Sequence, residues 1–320
     1  MGYGGYSLEA HKQIVSGRRA APDGSMFSRN DCDPAMSPLG VRFRESRDSP
    51  THPESVSIVF ALDVSGSMGE IPRQLATETL PTFMQSVVTA LTHPQLMFMA
   101  LGNAYSDHSP LQVGQFESEA ALMDRWLSAI HLEGGGGGLG ESYDLAMYMG
   151  ARHTAIDCFE KRQKKGYFFM TGDETPFVEV NRDQVKGLIG DDLQDNIPIW
   201  DLTAELLRSY NAFFLIPDAK RAATENCGAV WTVLLRERCV VLEAVEDTAV
   251  ACALLVGIQE GVLRDRAALS DQLERRLGRT GEARDRVLRS VLPFAEALAR
   301  GPIAPPGTLY RRTDTPTMNG

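Results

Sequence analysis

The stretch SVSIVFALDVSGSM, Ser55–Met68, decides how the rest of the chain is read. Its first eight residues, Ser55–Leu62, form an apolar run rich in Val and Ile and of strand length, which reads as a buried strand. Asp63-Val64-Ser65-Gly66-Ser67 follows. It sets a carboxylate and two hydroxyls at i, i+2 and i+4, with a glycine that allows a tight loop. All three are oxygen donors, the ligand type that Mg²⁺ prefers.

Working outward, Leu80, Phe83, Met84, Val87, Val88 and Leu91 recur at helical spacing, with Thr79 as N-cap and Pro81 in the first turn. Leu96–Leu101 and Leu111–Phe116 read as a second and a third strand. Ala120–Ile130 is a helix carrying Leu122, Trp126 and Ile130 on one face. The glycine run Gly134–Gly138 separates it from a helix expected over Tyr143–Gln163. Tyr167–Met170, Ala212–Ile216 and Cys239–Leu242 complete six strands. A helix over Thr248–Leu263 follows the last, then two more, Leu269–Leu277 and Val287–Leu298, broken by Gly278 and Gly281. Strands alternating with helices predict an α/β fold with a mostly parallel six-stranded sheet covered on both faces. Residues 1–52 read as an N-terminal extension with a short helix at Ser7–Ser16 and a lone strand near Val41 and Phe43. Residues 53–265 form the main domain, 266–300 a C-terminal helical segment and 301–320 a loose tail.

The 320 residues are 43% hydrophobic and 23% charged, which suits a globular chain. No apolar run reaches the roughly 18 residues of a membrane span, and the N-terminus lacks the layout of a secretory signal. Five cysteines without a CxxC pair argue against a disulfide framework or a zinc ribbon and for a cytoplasmic location. Residues 56–260 carry 14 basic against 28 acidic side chains, an excess that would repel a phosphate backbone. The expectation is no nucleic-acid and no membrane partner. Nine arginines against six acids in 261–300 read as exposed helix faces.

Ligand sites of parallel sheets lie at the carboxyl ends of strands. The fourth strand ends in Thr171-Gly172-Asp173, which brings a second carboxylate to the edge where Asp63 stands. A D-x-S-x-S run alone arises by accident in roughly one chain of this length in ten. Its position after a buried strand, with a second aspartate ending a later one, makes it specific. The run resembles the metal-ion-dependent adhesion site (MIDAS) of von Willebrand factor A-type (vWA) domains, of the bacterial intracellular type, over about residues 55–260. The resemblance implies a Rossmann-like strand order and Mg²⁺, or Mn²⁺ in its place, on Asp63, Ser65, Ser67 and Asp173. Where the family has a Thr before its central helix, this chain has Glu141, still an oxygen ligand, with Ser142 as the fallback. Glu141 as an early-turn helix acid is the other reading.

Other motifs weigh less. Gly135–Ser142 fits G-x-x-x-x-G-x-S, but Glu141 stands where a phosphate-binding loop needs Lys. Gly135, Gly137 and Gly140 fit G-x-G-x-x-G after a helix rather than a strand. The glycines are expected to let the loop pass close to the metal edge. Asn103, Asp107 and His108 could support the site from the loop after the second strand, with Asp107 also readable as a turn residue. His153 reads as a satisfied buried histidine. The function expected is a metal-dependent protein-binding module, an intracellular adaptor or assembly factor rather than an enzyme. The resemblance implies a protein partner, such as an AAA+ ATPase or a kinase or phosphatase module. The alternative is a Mg²⁺-dependent phosphotransfer enzyme of haloacid-dehalogenase type, imitated by Phe60–Ser67 and Gly172–Asp173. Ser65 stands in the place of its acid, and a hydroxyl cannot protonate a leaving group near neutral pH.

Overall fold

The computed structural model describes residues 7, 9, 13, 16, 31–75, 80–88, 90–135, 140–222 and 226–304. Most of the short helix expected at Ser7–Ser16, the Thr79 cap, Gly136 to Gly138 and the tail beyond 304 lie outside them.

Six strands form the central sheet: β1 (Ser55–Asp63), β2 (His93–Leu101), β3 (Leu111–Val113), β4 (Gly166–Thr171), β5 (Tyr210–Ile216) and β6 (Cys239–Val241). Their spatial order is β6-β5-β4-β1-β2-β3, and only β3 runs antiparallel to its neighbour. The fold is therefore mixed α/β around a mostly parallel sheet, as the alternation of elements predicts. All nine residues of β1 are buried, which is why its sequence shows an apolar run and no period of two. The chain winds outward from β1 in both directions, so the order reverses between β1 and β4. Such a switch point leaves a crevice at the strands' carboxyl ends.

Seven helices matter to the layers: α1 (Leu80–Val87), α2 (Ala120–Ala129), α3 (Tyr143–Arg152), α4 (Ile199–Ser209), α5 (Cys227–Leu235), α6 (Thr248–Gln259) and α7 (Gly281–Arg300). On one face Phe98, Phe60, Phe169 and Phe213 stack across β2, β1, β4 and β5, with neighbouring ring centroids 6.0, 5.3 and 5.4 Å apart. Phe83 of α1 and Phe294 of α7 meet this row edge-on at 4.9 and 5.0 Å. α6 is buried from Thr248 to Ile258 and packs against both α1 and α7, so it is apolar all round rather than amphipathic. On the other face Val59, Ala61, Phe168 and Phe214 pack with α3, α4 and α5.

Several boundaries differ from the sequence reading. The single helix expected over Tyr143–Gln163 is α3, then a strand Thr154–Ile156, then a helix Asp157–Arg162. The break serves a parallel pairing with Arg44–Ser46, a strand slightly later than the one expected at Val41 and Phe43. Arg47 then reaches Asp157 and Glu160, and Arg162 reaches Asp48, which straps the extension to the body. α6 ends at Gln259, before Gly261 at φ +69°, and Gly281 opens α7 rather than breaking it. The helix expected at Leu269–Leu277 runs as Arg266–Asp271 and continues in a wider π turn, Gln272–Arg276. Helix Arg182–Leu188 is not expected from the sequence, while α4 and α5 give bounds to the helical stretches expected around Trp200 and Trp231. Seven of the nine arginines in 261–300 lie on helical turns, Arg264 and Arg279 being the exceptions; Arg286 pairs with Asp247, Arg289 with Glu243 and Arg284 with Glu274.

Candidate functional site

Asp63 is the last residue of β1, and Asp173 stands two residues beyond β4. Leu62 pairs with Thr171, so register alone brings the two carboxylates to one edge of the sheet at the switch point. The loop between them completes a row of four oxygen groups. Ser65 Oγ donates to Asp63 Oδ1 at 2.6 Å, Ser65 Oγ and Ser67 Oγ stand 3.0 Å apart, and Ser67 Oγ donates to Asp173 Oδ1 at 2.9 Å. Asp63 is fully buried, while Ser67 is exposed and opens the row to solvent.

The protons of this row can be counted. Its three contacts need three protons, and the two hydroxyls carry two. With both carboxylates ionised, the serine oxygens face each other at 3.0 Å with no proton between them. Either a carboxylate must hold a proton or a cation must sit among the lone pairs. Toward the first, burial and after it the Asp173 charge push the Asp63 carboxyl up to about 6, against the lowering by its hydrogen bonds from Ser65 and Tyr143, so a proton there is held only on the acid side of neutrality. The second suits the spacing. Neighbouring ligands of an octahedral ion with metal–oxygen distances of about 2.0–2.1 Å stand about 2.8–3.0 Å apart, which two of the three contacts match and the 2.6 Å one undercuts. Asp63, Ser65, Ser67 and Asp173 could therefore hold a hard divalent ion. Among the described residues, no group of three or more His, Cys, Asp and Glu side chains is arranged to hold a metal ion. Hydroxyls supply half of this row.

Two further side chains fix the row, and neither was singled out from the sequence. The Tyr143 hydroxyl, at the start of α3, donates to Asp63 Oδ2. Its ring is held edge-on to Phe214 at 5.2 Å and to Trp231 at 5.3 Å. Burial and the Asp63 charge push the Tyr143 phenol well above its ordinary range, so it stays a donor. Arg221, from the short helix Ala219–Ala222, pairs with Asp173 Oδ2 and donates to the Ser67 carbonyl at 2.5 Å. A tyrosine opening a helix after a glycine loop is a weak signal for the first. Nothing local marks the second.

Glu141 comes to the neighbourhood without joining the row. It is buried, and its Oε2 has no hydrogen-bond partner. Burial first, then the charges of Asp63, Asp107, Glu174 and Asp173, push its carboxyl up to about 9. It precedes Ser142, the N-cap of α3, and so is not the early-turn acid, a place that Asp144 takes. Ser142 Oγ accepts from the Ala104 amide at 2.9 Å, which ties the two loops together.

The glycine loop passes close to the site, as expected: Gly66 N–H donates to the Gly135 carbonyl at 2.6 Å. A Cβ on Gly66 would lie 2.9 Å from the Gly134 oxygen, and one on Gly172 only 1.8 Å from the Tyr143 hydroxyl. Asn103 supports the loop by donating from Nδ2 to the Gly140 carbonyl at 2.9 Å. Asp107 is the turn residue of the pair, its Oδ2 accepting from the Asn103 amide at 2.8 Å. The His108 backbone amide donates to Glu133. His153 is buried and satisfied, Nδ1 on the Val41 carbonyl at 2.8 Å and Nε2 on Asp191 at 2.8 Å. The cysteines are free thiols, and no helix among the described residues is long and apolar enough to cross a membrane.

No family model and no curated protein matches the chain. Among solved structures it is similar to the pilus adhesin SpaC from Lactobacillus rhamnosus GG in an open conformation, at 11% identity and a TM-score of 0.44, covering 68% of this chain and 31% of that one. A second form of SpaC gives 12% identity and a TM-score of 0.41, over 67% and 31%. Proximal thread matrix protein 1 from the mussel byssus gives 9% and 0.39, over 63% and 47%. The chain thus spans about a third of the adhesin's length.

Proposed function

We propose that the chain is a metal-dependent protein-binding module of vWA type. Asp63, Ser65, Ser67 and Asp173 hold Mg²⁺, or Mn²⁺ in its place, and Glu141, whose carboxyl feels the charges of Asp63 and Asp173, is the further candidate ligand. The observation that carries the reading is the proton shortfall in a row of oxygens spaced for an octahedral ion. In this reading the ion braces the loops around it, and a protein partner engages that edge. An intracellular adaptor or assembly role, beside an AAA+ ATPase or a kinase or phosphatase module, is the working assignment. Mg²⁺ keeps several of its waters, so affinity is modest, roughly micromolar to millimolar.

The test is calorimetric titration of Mg²⁺ and Mn²⁺ into wild type and the Asp63→Ala/Asp173→Ala variant, beside co-purification with and without EDTA. Binding lost in the variant, and a partner released by EDTA, are the expected results. Equal binding by both proteins removes the metal assignment. Turnover of phosphate esters that needs Mg²⁺ and is abolished by Asp63→Asn would favour the phosphotransfer alternative.

A further inference from the structure

At the opposite edge of the sheet, where β4 and β5 begin and α6 and α7 end, lies a cleft of about 630 Å³. Its size falls among small-molecule sites. Lys164, Lys165, Asn211, Arg238, Gln259 and Glu260 line it, with the backbone of 301–303 along one side.

Its charges are unbalanced. Lys164 is spent on Glu260, at 2.7 Å, whose other oxygen accepts from the Tyr167 hydroxyl at 2.6 Å. Lys165 and Arg238 have no ion pair among the described residues. The Lys165 ammonium donates to the Leu207 carbonyl at 2.5 Å. Among the described residues Arg238 reaches only the Ile303 carbonyl, at 3.4 Å from Nη2, and its Nε is buried with no partner. Each is partly desolvated, which lowers the pKa of both, and Arg238 lowers that of Lys165 further. Glu237 is the acid that acts on Arg238, and it lies near Arg300, at 3.9 Å. Gln259 Oε1, from the same lining, is also buried and unpartnered. A pair of cations with spare donors, neighbours to each other and short of counter-charge, is stabilised by a bound dianion.

We propose that this cleft binds a small phosphate monoester, the phosphate on Arg238 and Lys165 and the alcohol portion toward the amides of Asn211 and Gln259. A phosphate monoester carries about −1.5 to −2 charges at pH 7, which matches two uncompensated cations where a single carboxylate does not. The guanidinium fork also suits its oxygens. The site lies away from Asp63 and does not rest on the metal reading.

The experiment is thermal unfolding of the full chain in EDTA with inorganic phosphate, glycerol phosphate or acetate, against sodium chloride of matched ionic strength. The expected result is a saturable rise in midpoint with the two phosphates and none with acetate. Asp63→Ala should keep that rise, and Arg238→Gln or Lys165→Gln should weaken apparent affinity at least tenfold. Lys165→Gln alone serves if Arg238→Gln does not fold. A rise that acetate reproduces, one that survives both substitutions, or no saturable rise up to ~10 mM phosphate, where linkage would reveal a millimolar site, overturns the proposal.

Discussion

Tyr143→Phe tests how the edge of the sheet holds a buried carboxylate. The substitution keeps the ring between Phe214 and Trp231 and removes only the hydroxyl that donates to Asp63 Oδ2. A hydrogen bond to a charged group is worth roughly 1.5–3 kcal/mol. One unit of pKa corresponds to about 1.4 kcal/mol, so losing this donor should lift the Asp63 carboxyl by roughly one to two units beyond its value of about 6. The sign follows from linkage. A carboxyl whose folded pKa is raised holds its proton more tightly in the folded protein. Its stability contribution is therefore fullest below the unfolded value near 4 and is lost as pH rises through the folded value. In the variant that loss continues to higher pH. Urea unfolding in EDTA should show a deficit of about 1 kcal/mol or less at pH 5, growing to roughly 1.5–3 kcal/mol at pH 8.5. Mn²⁺ affinity should fall several-fold at pH 7 and recover toward wild type at pH 8.5, as the competing proton leaves. A deficit independent of pH, or larger on the acid side, refutes the reasoning.

Gly172→Ala should destabilise by roughly 3 kcal/mol or more, because its Cβ would lie 1.8 Å from the Tyr143 hydroxyl, whose ring is clamped. Combined with Tyr143→Phe it should cost less than the sum of the two, and additivity in denaturant melts would show that the hydroxyl is not the obstacle. Glu141→Thr should lower Mn²⁺ affinity roughly tenfold by removing a carboxyl that the ion would deprotonate on binding, while making bound metal more sensitive to acetate. Unchanged titrations in both respects would leave Glu141 outside the metal shell.

The central strands β1, β2, β4 and β5 are legible because a strand buried on both faces is largely apolar, and that needs no knowledge of its neighbours; β3 and β6, three residues each, show only as short apolar runs. α4, whose Ile199, Leu202, Leu206 and Leu207 carry a helical stripe, is legible as a helical stretch around Trp200 but without its bounds. The merged helix at Tyr143–Gln163 failed for a nonlocal reason. Its apolar spacing runs on past His153, and what interrupts it is a pairing with Arg44–Ser46, over a hundred residues away in the chain. At the site, Asp63, Ser65, Ser67 and Asp173 were readable because strand ends and a five-residue loop are local facts. The contacts of Tyr143 and Arg221 depend on where two helices land, which no local pattern encodes.

Those two residues change what the row of oxygens means. Two buried carboxylates at one strand edge repel each other and resist ionisation together. Here each has its own answer: Asp63 takes three hydrogen bonds, from the Ser65 amide, the Ser65 hydroxyl and Tyr143, while Asp173 takes the Arg221 guanidinium. The fold can therefore present the pair without an ion holding it together, and an ion that entered would compete with Arg221 for Asp173 and turn the serine hydroxyl protons away from the two carboxylates. Competition of that kind lowers affinity without changing the ligand geometry. It also makes the position of Arg221 responsive to the ion. Since Arg221 donates to the Ser67 carbonyl as well, a shift of its guanidinium would be felt in the loop that carries both serines. In the proposed metal-binding reading, occupancy and the shape of the edge offered to a partner would thus be linked through one side chain.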